Sequence, residues 1–158
     1  MDLVGPGPLG PHFEDARKAV SWLEPSGRWA DLGSGAGFPG IALAAAFPDL
    51  CVHLVESRRK KTIFLEQVLA AAQLANAEVL HGRVEDLQET YDGVISRAYK
   101  PPEAFLRDAM QLLKPGGVAV VLLAKGEIPA CQGMEVFHVE HYAVQDRKRR
   151  AVGFLKAD

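Results

Sequence analysis

Asp31-Leu32-Gly33-Ser34-Gly35-Ala36-Gly37-Phe38-Pro39-Gly40 is the stretch that decides the fold. Trp29 to Leu32 reads as a short strand, and Ile41 to Phe47 as a short, nearly all-apolar helix. Alternating glycines between them let the backbone turn sharply and let a ligand approach it closely. Pro39 suits a first helical position. A generic tight turn needs neither three alternating glycines nor an acid at the strand end.

The same alternation of element types runs outward in both directions. Upstream, Phe13, Ala16, Val20 and Leu23 repeat at helical spacing, and Pro25-Ser26-Gly27 ends that helix. Met1 to Pro11 is rich in Gly and Pro and predicts a flexible lead-in, with the folded domain at 12–158. Downstream, Val52 to Val55 is a second buried strand. Arg58 to about Gln73 is a helix with a basic first turn, whose Ile63, Leu65, Val68, Leu69 and Ala72 should face the core. Val79-Leu80, Asp92 to Ser96 and Val118 to Leu123 are further strands. Pro102 to Leu113 is a helix, closed by the Lys114-Pro115-Gly116-Gly117 stop signal. Val136 to Tyr142 alternates and Ala151 to Leu155 is apolar. Polar Asp146 to Arg150 lies between them, which predicts an antiparallel hairpin at the sheet edge. The expectation is one α/β domain, a mostly parallel seven-stranded sheet with helices on both faces.

The bulk numbers exclude several classes. A chain of 158 residues can build its core without metals or disulfides. A net charge of −2 argues against a protein held to nucleic acid by bulk charge alone. Cys51 and Cys131 form no close ligand pair, so no metal site is expected and a reduced cytoplasm is the simpler setting. Cys51, within an apolar run, reads as a small core residue. His138 and His141 are three apart on a strand, so they point to opposite faces and make a poor metal pair. No apolar run reaches the roughly 18 residues of a membrane span.

The loop's register selects the ligand. Gly35 to Gly40 matches the dinucleotide pattern G-x-G-x-x-G, and Glu56 lies about 20 residues on. The strand, however, ends at Leu32, so the turn begins at Gly33 and the register that counts is Asp31-x-Gly33-x-Gly35-x-Gly37. An acid beside the first glycine repels a pyrophosphate and suits a ligand with a positive end. That favours S-adenosylmethionine over a nicotinamide dinucleotide. Glu56, at the sheet's carboxyl edge, is placed to accept hydrogen bonds from ribose hydroxyls. Val84-Glu85-Asp86 is placed to line an adenine site.

The residues also resemble a family, the bacterial 16S ribosomal RNA guanine-N7 methyltransferases (RsmG, also called GidB). The resemblance is carried by the glycine stretch through Ile41-Ala42-Leu43, by Glu56-Ser57 with Lys61, and by Phe64 to Val68. Gly82 to Asp86, Asp92 to Tyr99 and Lys125-Gly126 extend it, with Ile95-Ser96-Arg97-Ala98 the most specific block. His12-Phe13-Glu14-Asp15 resembles the family's His-x-x-Asp segment. The family has further helices before this point, where this sequence has its Gly/Pro-rich start, which bears on RNA docking more than on the cofactor. The resemblance implies a Rossmann-like class I methyltransferase fold and small-subunit ribosomal RNA, or the ribosomal subunit, as partner, in the cytoplasm, with the chain as a monomer. It implies cofactor contacts from Asp31, Gly33, Ser34, Gly35, Gly37, Phe38, Glu56, Ser57, Val84, Glu85 and Arg97, with Arg97 and Ser96 at the reacting centre.

Guanine N7 carries an accessible lone pair, so methyl transfer to it needs positioning rather than a general base. Arginine is the usual partner of guanine's O6/N7 edge, and Arg97 ends a strand beside the methyl end. Its alternative role is a salt bridge to Asp31 or Glu56. Arg58 to Lys61 and Arg147 to Arg150 are basic islands able to bind phosphate locally, or else solvated surface. Lys125 is a further candidate RNA contact. The competing readings are a methyltransferase of this fold acting on a small molecule or protein, and a cofactor-binding module without catalysis.

Overall fold

The structure is a computed structural model that describes residues 10–158 except Ala98. The flexible lead-in expected at Met1 to Leu9 lies outside the described residues. Gly10 and Pro11 belong to the first helix, two residues ahead of the expected boundary.

In chain order the elements are α1 (Gly10–Val20), β1 (Arg28–Leu32), α2 (Gly40–Ala46), β2 (Cys51–Glu56), α3 (Arg59–Ala72) and β3 (Ala77–His81). There follow a 3₁₀ turn at Val84–Asp86, β4 (Tyr91–Ser96), α4 (Pro102–Leu112), β5 (Leu113–Leu123), β6 (Met134–Val144) and β7 (Arg147–Lys156). They build the seven-stranded sheet that the sequence predicts, in the order β3-β2-β1-β4-β5-β7-β6. The first five strands are parallel, and β7 lies antiparallel between β5 and β6. The strand order reverses between β1 and β4. The carboxyl ends of those two strands therefore open a crevice, where ligands bind in folds of this type.

Strand alternation sorts the core into two layers. Trp29, Val52, Leu54, Ile95 and Val120 face α1, α2 and α3, through Ala16, Val20, Ile41, Leu43, Leu65 and Leu69. Ala30, Leu32, Val55, Val94 and Val121 face α4, through Phe105, Leu106, Ala109 and Leu112. The period of two along a strand dictates this split.

The structure corrects four details. The buried stripe of α3 is Thr62, Leu65, Leu69 and Ala72, while Ile63 is 44% exposed. Leu65 and Leu69 fix the helix phase, and Ile63, two residues before Leu65, points about 160° away from it around the helix axis. Thr62 is buried because its hydroxyl donates to the Arg59 carbonyl at 2.7 Å. Lys114 to Gly117 are absorbed into β5 as a bulge between the Tyr91 and Gly93 registers, not as a separate turn. Arg147 to Arg150 are strand, and the hairpin turn is only Gln145-Asp146, with φ of 50° and 64°. Cys51 is exposed, since it is the first residue of β2, with Sγ 3.7 Å from Nε2 of buried His53. No helix among the described residues is long and apolar enough to cross a membrane.

Candidate active site

The glycine loop is held from both ends. The Asp31 side chain is 1% exposed and accepts the Gly40 N–H at 2.7 Å, so it ties the start of α2 to the end of β1. Burial raises its pKa to about 7, partly offset by that amide. The Ser34 hydroxyl donates to the Asp31 carbonyl at 3.0 Å, and the Ser34 N–H donates to the Val55 carbonyl at 3.0 Å. Glu56, 6% exposed, accepts the Gly35 N–H at 3.0 Å and the Arg58 N–H at 3.1 Å, one on each oxygen. A buried carboxylate survives only when hydrogen-bonded, and here one bond comes from the glycine loop and the other from the residue before α3.

The three alternating glycines meet different surroundings. All have positive φ, at 68°, 55° and 103° for Gly33, Gly35 and Gly37. A Cβ on Gly33 would fall 2.3 Å from the Tyr99 side chain, and one on Gly37 would fall 2.2 Å from Ile41 Cδ1. A Cβ on Gly35 would meet no atom nearer than 3.8 Å. Gly35 alone of the three faces open space, beside the Glu56 carboxylate.

That space is a cavity of about 430 Å³. It is lined by Gly33, Gly35, Glu56, Ser57, Val84 and Glu85, all anticipated from the sequence, and by Lys61, Gly82, Tyr99 and Lys100. Tyr99 and Lys100 reach it from the segment after β4. The Tyr99 hydroxyl donates to Asp108 on α4, and Lys100 Nζ lies 2.9 Å from Asp108 and 3.6 Å from Glu85. Lys61 and Tyr99 were visible within the motif blocks, but nothing in their spacing said that they would share a wall.

The other anticipated residues do not line this cavity. Asp31 and Ser34 support the loop from behind. Gly37 packs on Ile41 and Leu65. Phe38 is buried edge-on to Phe13, with ring centroids 6.0 Å apart. Ser96, 2% exposed, donates its hydroxyl to the Leu32 carbonyl at 3.1 Å and so joins the ends of β4 and β1. Lys125 is exposed and lines neither cavity described here.

Arg97 lines a second cavity, of about 450 Å³, on the other side of the β4 end. Its ion pair is with neither Asp31 nor Glu56. Arg97 Nη1 lies 4.0 Å from Asp15 on α1 and donates to His12 Nδ1 at 3.3 Å. Asp15 also receives the Tyr142 hydroxyl of β6 at 2.5 Å and lies 3.9 Å from Arg149 Nε of β7. Burial, then the Asp15 bond, raises the Tyr142 pKa far above its usual value, so the hydroxyl stays a donor. His12 and Asp15 belong to the His-x-x-Asp segment, whose purpose the sequence did not disclose.

Comparison with known proteins gives the lineage of this arrangement. The family model described as "GidB: rRNA small subunit methyltransferase G" matches residues 9–155. The chain belongs to the GidB family. Among its relatives it is 45% identical, over 96 residues, to the ribosomal RNA small subunit methyltransferase G of Pseudomonas fluorescens Pf0-1, covering 60% of this chain and 44% of that protein. The protein of the same name from Erythrobacter litoralis is 35% identical over 97% of this chain and 79% of its own length. The chain spans about half the length of most of the curated relatives it matches, for example 54% of the protein from Albidiferax ferrireducens.

Solved structures extend the likeness at the level of fold. Magnesium protoporphyrin IX methyltransferase from Synechocystis PCC 6803, with bound SAM, superposes with a TM-score of 0.75 at 16% identity, over 98% of this chain and 88% of that one. TrmN from Thermus thermophilus gives 0.73 at 18% identity, over 97% and 55%. The GidB match includes the glycine loop, Glu56, the 3₁₀ turn, Arg97 and the hairpin, so both cavities are built from family sequence.

Proposed function

We propose that residues 12–158 form an S-adenosylmethionine-dependent methyltransferase domain acting on a guanine N7 of small-subunit ribosomal RNA, in the cytoplasm. The observation that carries this reading is the open cradle at Gly35 beside a buried acid. A Cβ there would meet no protein atom nearer than 3.8 Å, so the backbone is bare toward the space a cofactor needs. Glu56 uses one lone pair of each oxygen on the Gly35 and Arg58 amides and keeps others for ribose hydroxyls. Val84 and Glu85, on their 3₁₀ turn, flank the far end of the same cavity, where an adenine belongs. The family name and the relatives' names support ribosomal RNA as the acceptor.

When bound, S-adenosylmethionine supplies an electrophilic methyl group on a sulfonium. The chain's own residues have to hold and orient. Asp31 and Ser34 fix the loop, Gly35 clears the approach, and Glu56 sets the depth of the ribose. Arg97, held by Asp15 and His12, offers its planar fork to the guanine O6 or a neighbouring phosphate. It has no reason to point at N7, which gains positive charge as the methyl arrives. No side chain has to remove a proton from N7, so the absence of a nucleophile and base pair from the motif blocks is no obstacle.

Calorimetry and a transfer assay test this. The parent chain should bind S-adenosylmethionine more tightly than a nicotinamide dinucleotide, and Gly35→Val should abolish binding by filling the cradle. Glu56→Ala should weaken binding by roughly 10- to 150-fold, the equivalent of about 1.5–3 kcal/mol for charged hydrogen bonds. Labelled methyl should pass to small ribosomal subunits. Tighter dinucleotide binding would overturn the cofactor. Normal cofactor binding without transfer to ribosomal substrates would shift the reading to another acceptor, or to a binding module without catalysis.

A further inference from the structure

The basic run Arg147-Lys148-Arg149-Arg150 is a strand, and that divides it. Because β7 is antiparallel to β5, its first residues lie at the carboxyl ends of the parallel strands, with Arg150 opposite Leu123. Side chains alternate along it. Arg149 is paired with Tyr142 and Arg147 with Val144, so these four share one face, the face turned toward α1. Arg147 and Arg149 accordingly line the second cavity, while Lys148 and Arg150 do not. Arg150 turns away to donate to the Gly126 carbonyl.

The charge balance on this face is uneven. Among the described residues, Arg97, Arg147 and Arg149 share the cavity with one carboxylate, Asp15. Asp15 is already taken up by Arg97, Arg149 and the Tyr142 hydroxyl. Arg147 is exposed and takes part in none of these ion pairs. Leu122 and Val144, on the α1 side of the sheet, form an apolar wall beside the cations. Guanidinium groups beside an apolar wall suit a nucleotide, with the phosphate on the fork and the base on the wall.

We propose that the second cavity is a phosphate subsite for the acceptor RNA, with Arg147 and Arg149 as its cations and Lys148 excluded by strand alternation. The proposal rests on the ribosomal RNA reading and extends it to named phosphate contacts. Phosphate contacts fix register without reading sequence, which is what a residue beside Arg97 has to supply.

The test uses the full chain and a fluorescent single-stranded RNA, followed by anisotropy over a range of salt, with calorimetry of S-adenosylmethionine binding in parallel. Arg147→Gln should weaken RNA binding several-fold and reduce the magnitude of the log–log salt slope by about 0.7, the share of one phosphate contact on a single strand. Arg149→Gln should do the same. Lys148→Gln, which removes the same charge from the same run, should leave affinity and slope near parent values. Cofactor affinity should not change in any of the three. Equal losses from Arg147→Gln and Lys148→Gln would overturn the subsite in favour of diffuse charge, even with the cofactor reading intact. A parent chain that binds no RNA at low salt would overturn it as well. So would an Arg147→Gln variant that loses inorganic phosphate but keeps RNA, since the cavity would then serve a small free anion. If the parent fails to bind the cofactor while the Arg147 and Lys148 variants still differ on RNA, the methyltransferase reading fails and the subsite stands.

Discussion

At the residue scale, Asp31 combines an acid's position with a burial that opposes its charge. The sequence marked it by its place before the first glycine and suggested a direct contact with the ligand's positive end. The structure places its oxygen on the Gly40 amide and leaves 1% of the residue exposed. Sequence shows that an acid ends the strand, but not that α2 closes over it. The same limit applies to the glycines. Their alternation was plain, whereas the separate tasks of Gly33, Gly35 and Gly37 depend on Tyr99 and Ile41 arriving from elsewhere. Burial holds the Asp31 pKa at about 7 in the folded chain, above the usual carboxylate range of the unfolded one. The folded state therefore keeps a proton that the unfolded state has lost. This group's contribution to stability is greatest below about pH 4, falls as pH rises, and reaches its minimum above about 7. Asp31→Asn keeps an acceptor for Gly40 and removes the titration. Urea midpoints at pH 5 and pH 8 should fall more for the parent than for Asp31→Asn. Identical pH dependence in the two proteins would mean that Asp31 titrates as an ordinary carboxyl.

At the element scale, existence and type were legible and phase was not. All seven strands and four helices follow from runs and periodicity in the sequence. The phase of α3 went wrong at Ile63, because apolarity alone counts every candidate while packing admits only those aligned with Leu65 and Leu69. Thr62 took the vacant core place, since a hydroxyl that bonds its own helix carbonyl is inexpensive to bury. The basic hairpin was misjudged for a related reason. Polar residues suggested a connection, yet β7 runs past the end of β5 there, and Arg147 to Arg149 pair with β6 alone, where a strand accepts charged side chains readily. For α3 the expected outcome is direct. Leu65→Ala should cost about 2–5 kcal/mol in denaturant unfolding, the range for a fully buried large-to-small change. Ile63→Ser should change stability by no more than about 0.5 kcal/mol. Comparable losses from the two would contradict the phase described.

At the scale of the whole molecule, the segment after β4 separates two cavities at one sheet edge, and Asp15 binds the second to α1. The Tyr142 hydroxyl on Asp15 and the Lys18 ammonium on the Ala143 carbonyl, at 2.9 Å, are polar ties between β6 and that helix. Tyr142→Phe should lower stability by about 1.5–3 kcal/mol, as for a hydrogen bond to a charged group, and should speed amide exchange in α1. Exchange in α1 at the parent rate would show that the docking of the helix does not depend on this bond. The two cavities also draw on the chain at different times. Among the described residues, every one that lines the first falls between Gly33 and Lys100. The second needs residues from His12 to Arg149, because β7 slots in between β5 and β6. As a nascent chain leaves the ribosome, the material for the first cavity is therefore complete while the free edge of β5 still waits for its neighbour. The second cavity can close only once β6 and β7 are in place, so the order of synthesis is also the order in which the two cavities can come into being.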